Sequence, residues 1–304
     1  MAFWFRGRSI AKVGVIGSGQ IGPDIALHFA KTLYAHDAKI VVVDVSEDAL
    51  AKGKAKLTKK IDKGAETKAF KPAQADAMKA CVLFTSDYGQ LAGADFVVEA
   101  ATEDLPLKRR IFKQIEGLVS PDAILGSNSS HIEPERIFAE VEHKGRALCT
   151  HYFFPAERNP AMEIIPTTDT DPAITDFIMR LYEFVGKIPV KVGSRYGYSV
   201  DPVFEGLMLA CIQCLDAGMG NSKQVDTVGA KCLGLAVGPL TAQNLTGGNP
   251  ISAHGMSEMH ERLVPWYRSP KRLDDMVAAK SDWEVPGRGE KVEISPELEK
   301  ELTD

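Results

Sequence analysis

Short apolar runs recur along the first two thirds of the chain: KVGVI, KIVVV, CVLF, DFVVEA, AILGS, RALCTHYF, MEIIP and IPVKV. Between them the apolar positions fall at helical spacing. Runs too uniformly apolar for one-sided burial, alternating with helices, predict a doubly wound, mostly parallel sheet covered on both faces. The stretch from Ser46 to Lys79 is longer than one crossover helix and predicts a helical hairpin projecting from the sheet. Beyond Val192 the strand pattern stops. Val200, Phe204, Leu207, Met208, Cys211 and Leu215 then follow a helical period, and helical patterns run on to Lys280. The expected architecture is an α/β domain over residues 1–194 and a smaller all-α domain over 195–304, with SRYGYS (194–199) as the hinge.

The first strand leads into a specific turn. Gly17, Gly19 and Gly22 stand at G-x-G-x-x-G spacing where KVGVI passes into a helix, with Gln20 and Ile21 inside the same turn. The first glycine permits the tight turn, the second lets a pyrophosphate approach the backbone, and the third lets the helix pack on the strand. The second strand ends in Asp44, whose carboxylate suits an adenosine ribose and repels a 2′-phosphate, so NAD is favoured over NADP. The alternative is a glycine-rich turn with no ligand. With strand, helix and acid all in place, the pattern points to a Rossmann-type dinucleotide-binding domain.

Bulk properties narrow the classes. The 304 residues are 44% hydrophobic and 25% charged, the range of an ordinary soluble protein, and a net charge of −5 argues against nucleic acid as a partner. No apolar run approaches membrane-span length, and MAFWFRGRSIAKVGV is too short in its apolar part for a secretion signal, so a cytoplasmic location without membrane contact is expected. Five cysteines without paired spacing fit reduced thiols, and Cys211 and Cys214 fall in an apolar helical pattern that favours packing over a metal site. Lys52, Lys56, Lys59 and Lys63 share one face of the hairpin, either as a solvated surface or as an attraction for a phosphate-bearing ligand. The apolar stripe of the helix from Val200 fits a core or, in part, a homodimer interface. The charged KVEISPELEKELTD reads as a tail or the start of a further helix.

Ligands of open α/β sheets bind beyond the carboxyl ends of the strands, which directs attention to Ser127, Asn128, Ser129, Ser130, His151 and Glu163. An acid inside the apolar strand AMEIIP needs a partner, and a histidine held by that acid would be suited to take a proton from an alcohol as hydride leaves. Spacing alone leaves a capping or core histidine as an equal alternative.

The combination GSGQIG, VVEAATEDLPLKRRIF, SNSSHI, HYFFP and a later glutamate resembles the L-3-hydroxyacyl-CoA dehydrogenase family over nearly the whole chain. In that family a serine of S-N-T-S precedes the catalytic histidine by 21 residues and a glutamate follows it by 12; here 151 − 130 = 21 and 163 − 151 = 12. The resemblance implies an NAD-dependent oxidoreductase of fatty acid β-oxidation that acts on the C3 hydroxyl or oxo group of an acyl-CoA. By it His151 is the general base or acid, Glu163 its stabiliser, and Ser130 rather than Ser129 the hydroxyl that contacts substrate. It also implies that Glu103, Lys108 and Asn128 lie by the nicotinamide half of the cofactor, and that Lys52 and Lys56 lie on a basic helix beside bound CoA. For Glu103 and Lys108 a helix N-terminal acid and a solvated lysine are equal alternatives.

Several positions depart from the family's pattern. The catalytic asparagine of P-G-F-I-V-N-R falls at Asp201, followed by Pro202. An amide donates a hydrogen bond to a carbonyl, whereas an ionised carboxylate only accepts; Asp201 then either is held protonated, binds another substrate group, weakens catalysis, or serves as a helix N-cap. Phe154 replaces the asparagine before proline, GPLTAQNLTGGNP with Asn244 replaces G-P-F-E-L-x-D, and PGRGEKV stands where G-x-G-F-Y is usual. These changes imply an acyl group other than the family's ordinary ones. They also leave room for a catalytically weakened NAD-binding module in a larger assembly, or for a free hydroxyacid dehydrogenase of the same fold.

Overall fold

The computed structural model describes residues 3–263 and 265–287. The chain divides into two compact units, Met1–Tyr198 and Ser199–Asp304.

In the first unit, β1 (Phe3–Phe5) and β2 (Arg8–Ile10) form an antiparallel ribbon that the apolar pattern did not announce. The main sheet contains β3 (Lys12–Ile16), β4 (Lys39–Val43), β5 (Val82–Thr85), β6 (Phe96–Glu99), β7 (Ile124–Ser127), β8 (Ala147–Tyr152), β9 (Ala161–Pro166) and β10 (Ile188–Lys191). Their order is β10-β9-β8-β7-β6-β3-β4-β5, parallel throughout except that β8 and β9 pair antiparallel. The strand order reverses beside β3, the place where open sheets of this kind hold ligands. Alternate residues serve opposite faces: Val13, Val15, Ile40 and Val42 join one core, and Ile16, Val41 and Val43 join the other.

Helix α1 (Gly22–Leu33) covers the first face, joined by α2 (Glu47–Glu66) and α3 (Pro72–Ala80) through Leu57, Ile61, Ala75 and Met78, and by α6 (Pro172–Phe184). Helices α4 (Leu105–Glu116) and α5 (Pro134–Ile137) cover the second face with Ile111, Phe112, Ile115 and Ile137. Ser46 starts α2 by accepting the Ala49 N–H at 3.2 Å. The α2–α3 hairpin falls where the sequence predicts it, but it is seated on α1 rather than standing clear of the sheet unit.

The second unit is helical: α7 (Val200–Asp216), α8 (Ser222–Leu233), α9 (Pro239–Leu245), α10 (Asn249–Arg262) and α11 (Lys271–Ala279). Met208, Ile212, Leu240, Met256 and Leu273 form its core together with Cys211 and Trp283. Cys211 is therefore a packing residue, its thiol pushed up to about 11 by burial. Among the described residues no helix is long and apolar enough to cross a membrane.

Candidate active site

The turn after β3 is built from the crowding of two glycines and the openness of a third. A Cβ on Gly17, whose φ is 105°, would lie 2.5 Å from the Ala100 carbonyl oxygen, and one on Gly22 would lie 1.8 Å from that of Gly17. A Cβ on Gly19 would meet nothing within 4 Å. The backbone N–H groups of Gly19, Gln20 and Ile21 have no hydrogen-bond partner among the described residues. Ile21 gives α1 no side-chain cap, so donors and helix dipole are left for an anion. Asp44 closes the turn from the side. Its Oδ2 accepts the Ser18 N–H at 2.7 Å and its Oδ1 the Ser46 N–H at 2.9 Å. This arrangement fits the pyrophosphate and ribose of NAD.

Next to it lies a buried charge network. Lys108, 1% exposed, donates to Glu99 Oε1 at 2.8 Å and Oε2 at 3.1 Å, and its Nζ is 3.1 Å from Glu103 Oε2. Glu99, fully buried at the end of β6, also accepts from Ser127 Oγ at 2.6 Å and from the Ala101 N–H at 2.8 Å. Burial works against the Lys108 charge, yet Glu99 and Glu103 raise its pKa. Burial likewise opposes the Glu103 carboxylate, but Lys108, His131 and hydrogen bonds from Ser129 and Lys108 hold it below its usual range. The reading of Lys108 as a solvated lysine is therefore corrected. Glu103 lies just ahead of α4, whose N-cap is Asp104, accepting the Leu107 N–H at 2.7 Å. The sequence does not mark Glu99, since an acid closing the run FVVE looks like an ordinary strand end.

The loop after β7 brings the serines to this network. The Ser129 hydroxyl is buried and donates to Glu103 Oε1, while the Ser130 N–H reaches the same oxygen at 3.0 Å. Ser130 is less enclosed, and its Oγ lies 2.9 Å from His131 Nδ1. Asn128 Oδ1 accepts the Tyr152 N–H at 2.9 Å, joining this loop to the end of β8.

His151 and Glu163 are directly paired residues of antiparallel β8 and β9. His151 Nδ1 stands 3.0 Å from Glu163 Oε2, and both residues are buried. An ionised carboxylate can only accept, so this contact calls for a proton on Nδ1, and in the neutral ring Nε2 is then the acceptor. Three lysines hold the loop joining the two strands: Lys31 donates to the Glu157 carbonyl at 2.6 Å, Lys60 to Glu157 Oε1 at 2.6 Å, and Lys187 to the Ala156 and Asn159 carbonyls, both at 2.5 Å. Phe154 in this loop is 37% exposed.

The hairpin lysines divide. Lys52 pairs with Asp48 of its own helix at 2.6 Å, whereas Lys56 and Lys60 reach the fully buried Asp24 of α1 at 2.9 and 2.8 Å. Lys56 also donates to the Gln20 carbonyl at 2.5 Å, so it braces the glycine turn. Lys60, which the periodic count had not singled out, shares that task.

Asp201 belongs to the helical unit. The N-cap position of α7 is Ser199, so Asp201 sits inside the first turn as an acid at the positive end of the helix, and the N-cap reading is corrected. Asn244 donates to the Trp283 carbonyl at 2.9 Å and accepts its N–H at 3.2 Å, while Gln243 Oε1 accepts the Trp283 indole N–H at 2.6 Å. GPLTAQNLTGGNP thus serves packing within the helical unit. Most of PGRGEKV, and all of KVEISPELEKELTD, lie outside the described residues.

Residues 12–195 match the model of the 3-hydroxyacyl-CoA dehydrogenase NAD-binding domain. The chain belongs to the 3-hydroxyacyl-CoA dehydrogenase family. It is accordingly an NAD-dependent oxidoreductase. A 3-hydroxybutyryl-CoA dehydrogenase of Mycobacterium tuberculosis is 28% identical over 286 residues, spanning 92% of this chain and 98% of that protein. Among solved structures, M. tuberculosis FadB2 superposes with a TM-score of 0.84 at 27% identity, covering 90% of this chain and 96% of that one. The (S)-3-hydroxybutyryl-CoA dehydrogenase PaaH1 of Ralstonia eutropha gives 0.83 at 26% identity, covering 91% and 96%. These likenesses extend past the nucleotide-binding unit into the helical one.

Proposed function

We propose that this dehydrogenase interconverts the 3-hydroxy and 3-oxo forms of an acyl-CoA, with His151 as the proton acceptor in oxidation and donor in reduction. The observation that carries this reading is the 3.0 Å contact of His151 Nδ1 with Glu163 Oε2 on paired strands. It leaves Nε2 basic and stabilises the imidazolium once a proton arrives. Bound NAD supplies the hydride acceptor or, in reverse, the donor. The residues to hold it are Gly17, Gly19, Gln20, Ile21, Gly22 and Asp44, with Glu103, Lys108 and Asn128 on the nicotinamide side. Ser130 hydrogen-bonds the C3 oxygen and so positions C3.

Residues 195–304 are the substrate and dimerisation region in this reading. Val228, Leu233, Val237, Leu245 and Ile251 of the helical unit are each more than 40% exposed, apolar side chains that a second copy of the chain would cover. Asp201 in the place of an amide, and Phe154 in the place of an asparagine, favour an acyl group other than a simple linear one. Lys52 and Lys56 lend positive charge to the CoA side.

The test is NADH oxidation with acetoacetyl-CoA, longer and cyclic 3-oxoacyl-CoAs, and free 3-oxoacids in parallel. Turnover of at least one thioester, lost in His151→Ala while NAD binding is kept, supports the proposal. Turnover confined to free acids, or NAD binding without any turnover, refutes it.

A further inference from the structure

Ser130 has a neighbour that the reading above does not use. His131 Nδ1 lies 2.9 Å from Ser130 Oγ and 3.7 Å from Glu103 Oε1. The Glu103 oxygen is itself fixed by the Ser130 N–H at 3.0 Å and by the Ser129 hydroxyl, while the other oxygen is tied to buried Lys108 at 3.1 Å. The imidazole packs against Tyr196, ring centroids 5.1 Å apart, and the His131 carbonyl accepts the Gly197 N–H at 3.2 Å. The ring is thus held from the β6–α4 connection on one side and from segment 194–198 on the other. Its side chain is 21% exposed.

A serine hydroxyl has one proton to give. If Nδ1 is a bare lone pair, Ser130 spends that proton on His131 and faces the substrate only as an acceptor. If Nδ1 carries hydrogen, it donates to Ser130 Oγ, and the hydroxyl proton is released for another acceptor. Negative charge on Glu103 beside Nδ1 favours the protonated nitrogen, in the neutral ring as in the cation. We propose that His131 is a positioning residue that, held by Glu103, turns the Ser130 O–H toward the C3 oxygen of the substrate. The inference rests on the assignment of Ser130 as the substrate-contacting hydroxyl. No proton leaves Ser130; in reduction C3 receives hydride from NADH and the oxygen receives its proton from His151, while the aimed O–H stabilises the negative charge developing on oxygen. Among the described residues of the sheet unit, Glu103, with Lys108 behind it, and Tyr196 face His131.

The first test is independent of turnover. In protein labelled with nitrogen-15 at histidine, the His131 imidazole, assigned by its loss in His131→Asn, is expected to show a protonated Nδ1 at neutral pH. An unprotonated, hydrogen-bond-accepting Nδ1 overturns the proposal. The second test is kinetic. His131→Leu is expected to lower kcat for 3-oxoacyl-CoA reduction about tenfold with little change in KM, the worth of one well-placed donor. His131→Asn, whose amide nitrogen stands near the Nδ1 position, is expected to keep most of the rate. In a Ser130→Ala background the Leu substitution should cost nothing further. An equal loss in that background, or no rescue by Asn, overturns the proposal while leaving the function standing. A parent enzyme inactive on every CoA thioester removes the functional reading and this inference together.

Discussion

Lys108→Met tests whether the charge network beside the cofactor turn is a structural keystone of the sheet unit. The substitution keeps the volume of the aliphatic stem and deletes one ammonium that lies 2.8 and 3.1 Å from Glu99 and 3.1 Å from Glu103. Glu99 is fully buried, and among the described residues its carboxylate would keep the donors of Ser127 and Ala101. Removing one partner of a buried ion pair costs about 3–5 kcal/mol, because the stranded charge has lost its solvation. For a unit of this size each kcal/mol shifts Tm by roughly 2–4 °C, so a fall of about 10 °C is expected. The pH dependence has a definite sign. Glu103 is held below its usual pKa, so its contribution is present above the ordinary carboxylate range and disappears as pH falls through the depressed value. Lys108 is held above its usual value, so its part persists until pH rises past the lysine range. The gap between parent and variant should therefore be widest from neutral to mildly alkaline pH and close in acid. Adding Glu99→Gln should recover at least ~1 kcal/mol, since it removes the stranded charge. Calorimetry or urea unfolding across pH reads all of this. A loss below ~1 kcal/mol at neutral pH, or one that does not shrink in acid, would refute the argument.

Other perturbations separate packing from binding. Gly19→Ala should leave Tm within about 2 °C, since its Cβ meets only open space, yet weaken NAD at least about tenfold in a binding titration. Gly22→Ala, with its Cβ 1.8 Å from the Gly17 carbonyl oxygen, should instead lower both Tm and affinity. Burial pushes the Glu205 carboxyl up to about 8, so the folded state progressively loses stability as pH rises from about 4.5 to that value. Glu205→Gln should therefore match the parent near pH ~4 and exceed it at pH ~7 by on the order of 2–3 kcal/mol in equilibrium unfolding. Asp201→Asn should raise turnover of acetoacetyl-CoA if the acid weakens an otherwise ordinary site, and lower turnover of the native acyl-CoA if the acid recognises it; initial rates on the thioester panel tell these apart.

The fold was legible where local pattern and long-range packing agree. Val13, Val15, Val42 and Val98 are buried on a sheet covered from both sides, which is why their strands read as continuous apolar runs. The glycine turn was legible for the same reason: Gly17 and Gly22 answer to contacts that only a strand–turn–helix junction creates. The ribbon Phe3–Ile10 was not, since three-residue strands leave almost no periodicity. Glu99, Lys60 and the pairing of Lys56 with Asp24 escaped because each is defined by a partner distant in sequence, Ser127, Asp24 and Asp24, at 28, 36 and 32 residues respectively. The N-cap of α7 falls at Ser199, ahead of Asp201, and differs from the N-cap reading because Pro202 fits any position in a helix's first turn and does not fix which residue precedes it.

The spacing of 12 residues between His151 and Glu163 is a consequence, and the cross-strand register is the cause. The two side chains meet because β8 and β9 pair at that rung, with the loop between them fastened through Ala156, Glu157 and Asn159. Lengthening that loop would leave the acid–base pair intact as long as the rung is kept, whereas slipping the strands by a single residue would turn one partner to the opposite side of the sheet. In the proposed mechanism, the integrity of that one sheet rung and the capacity to move a proton are a single property.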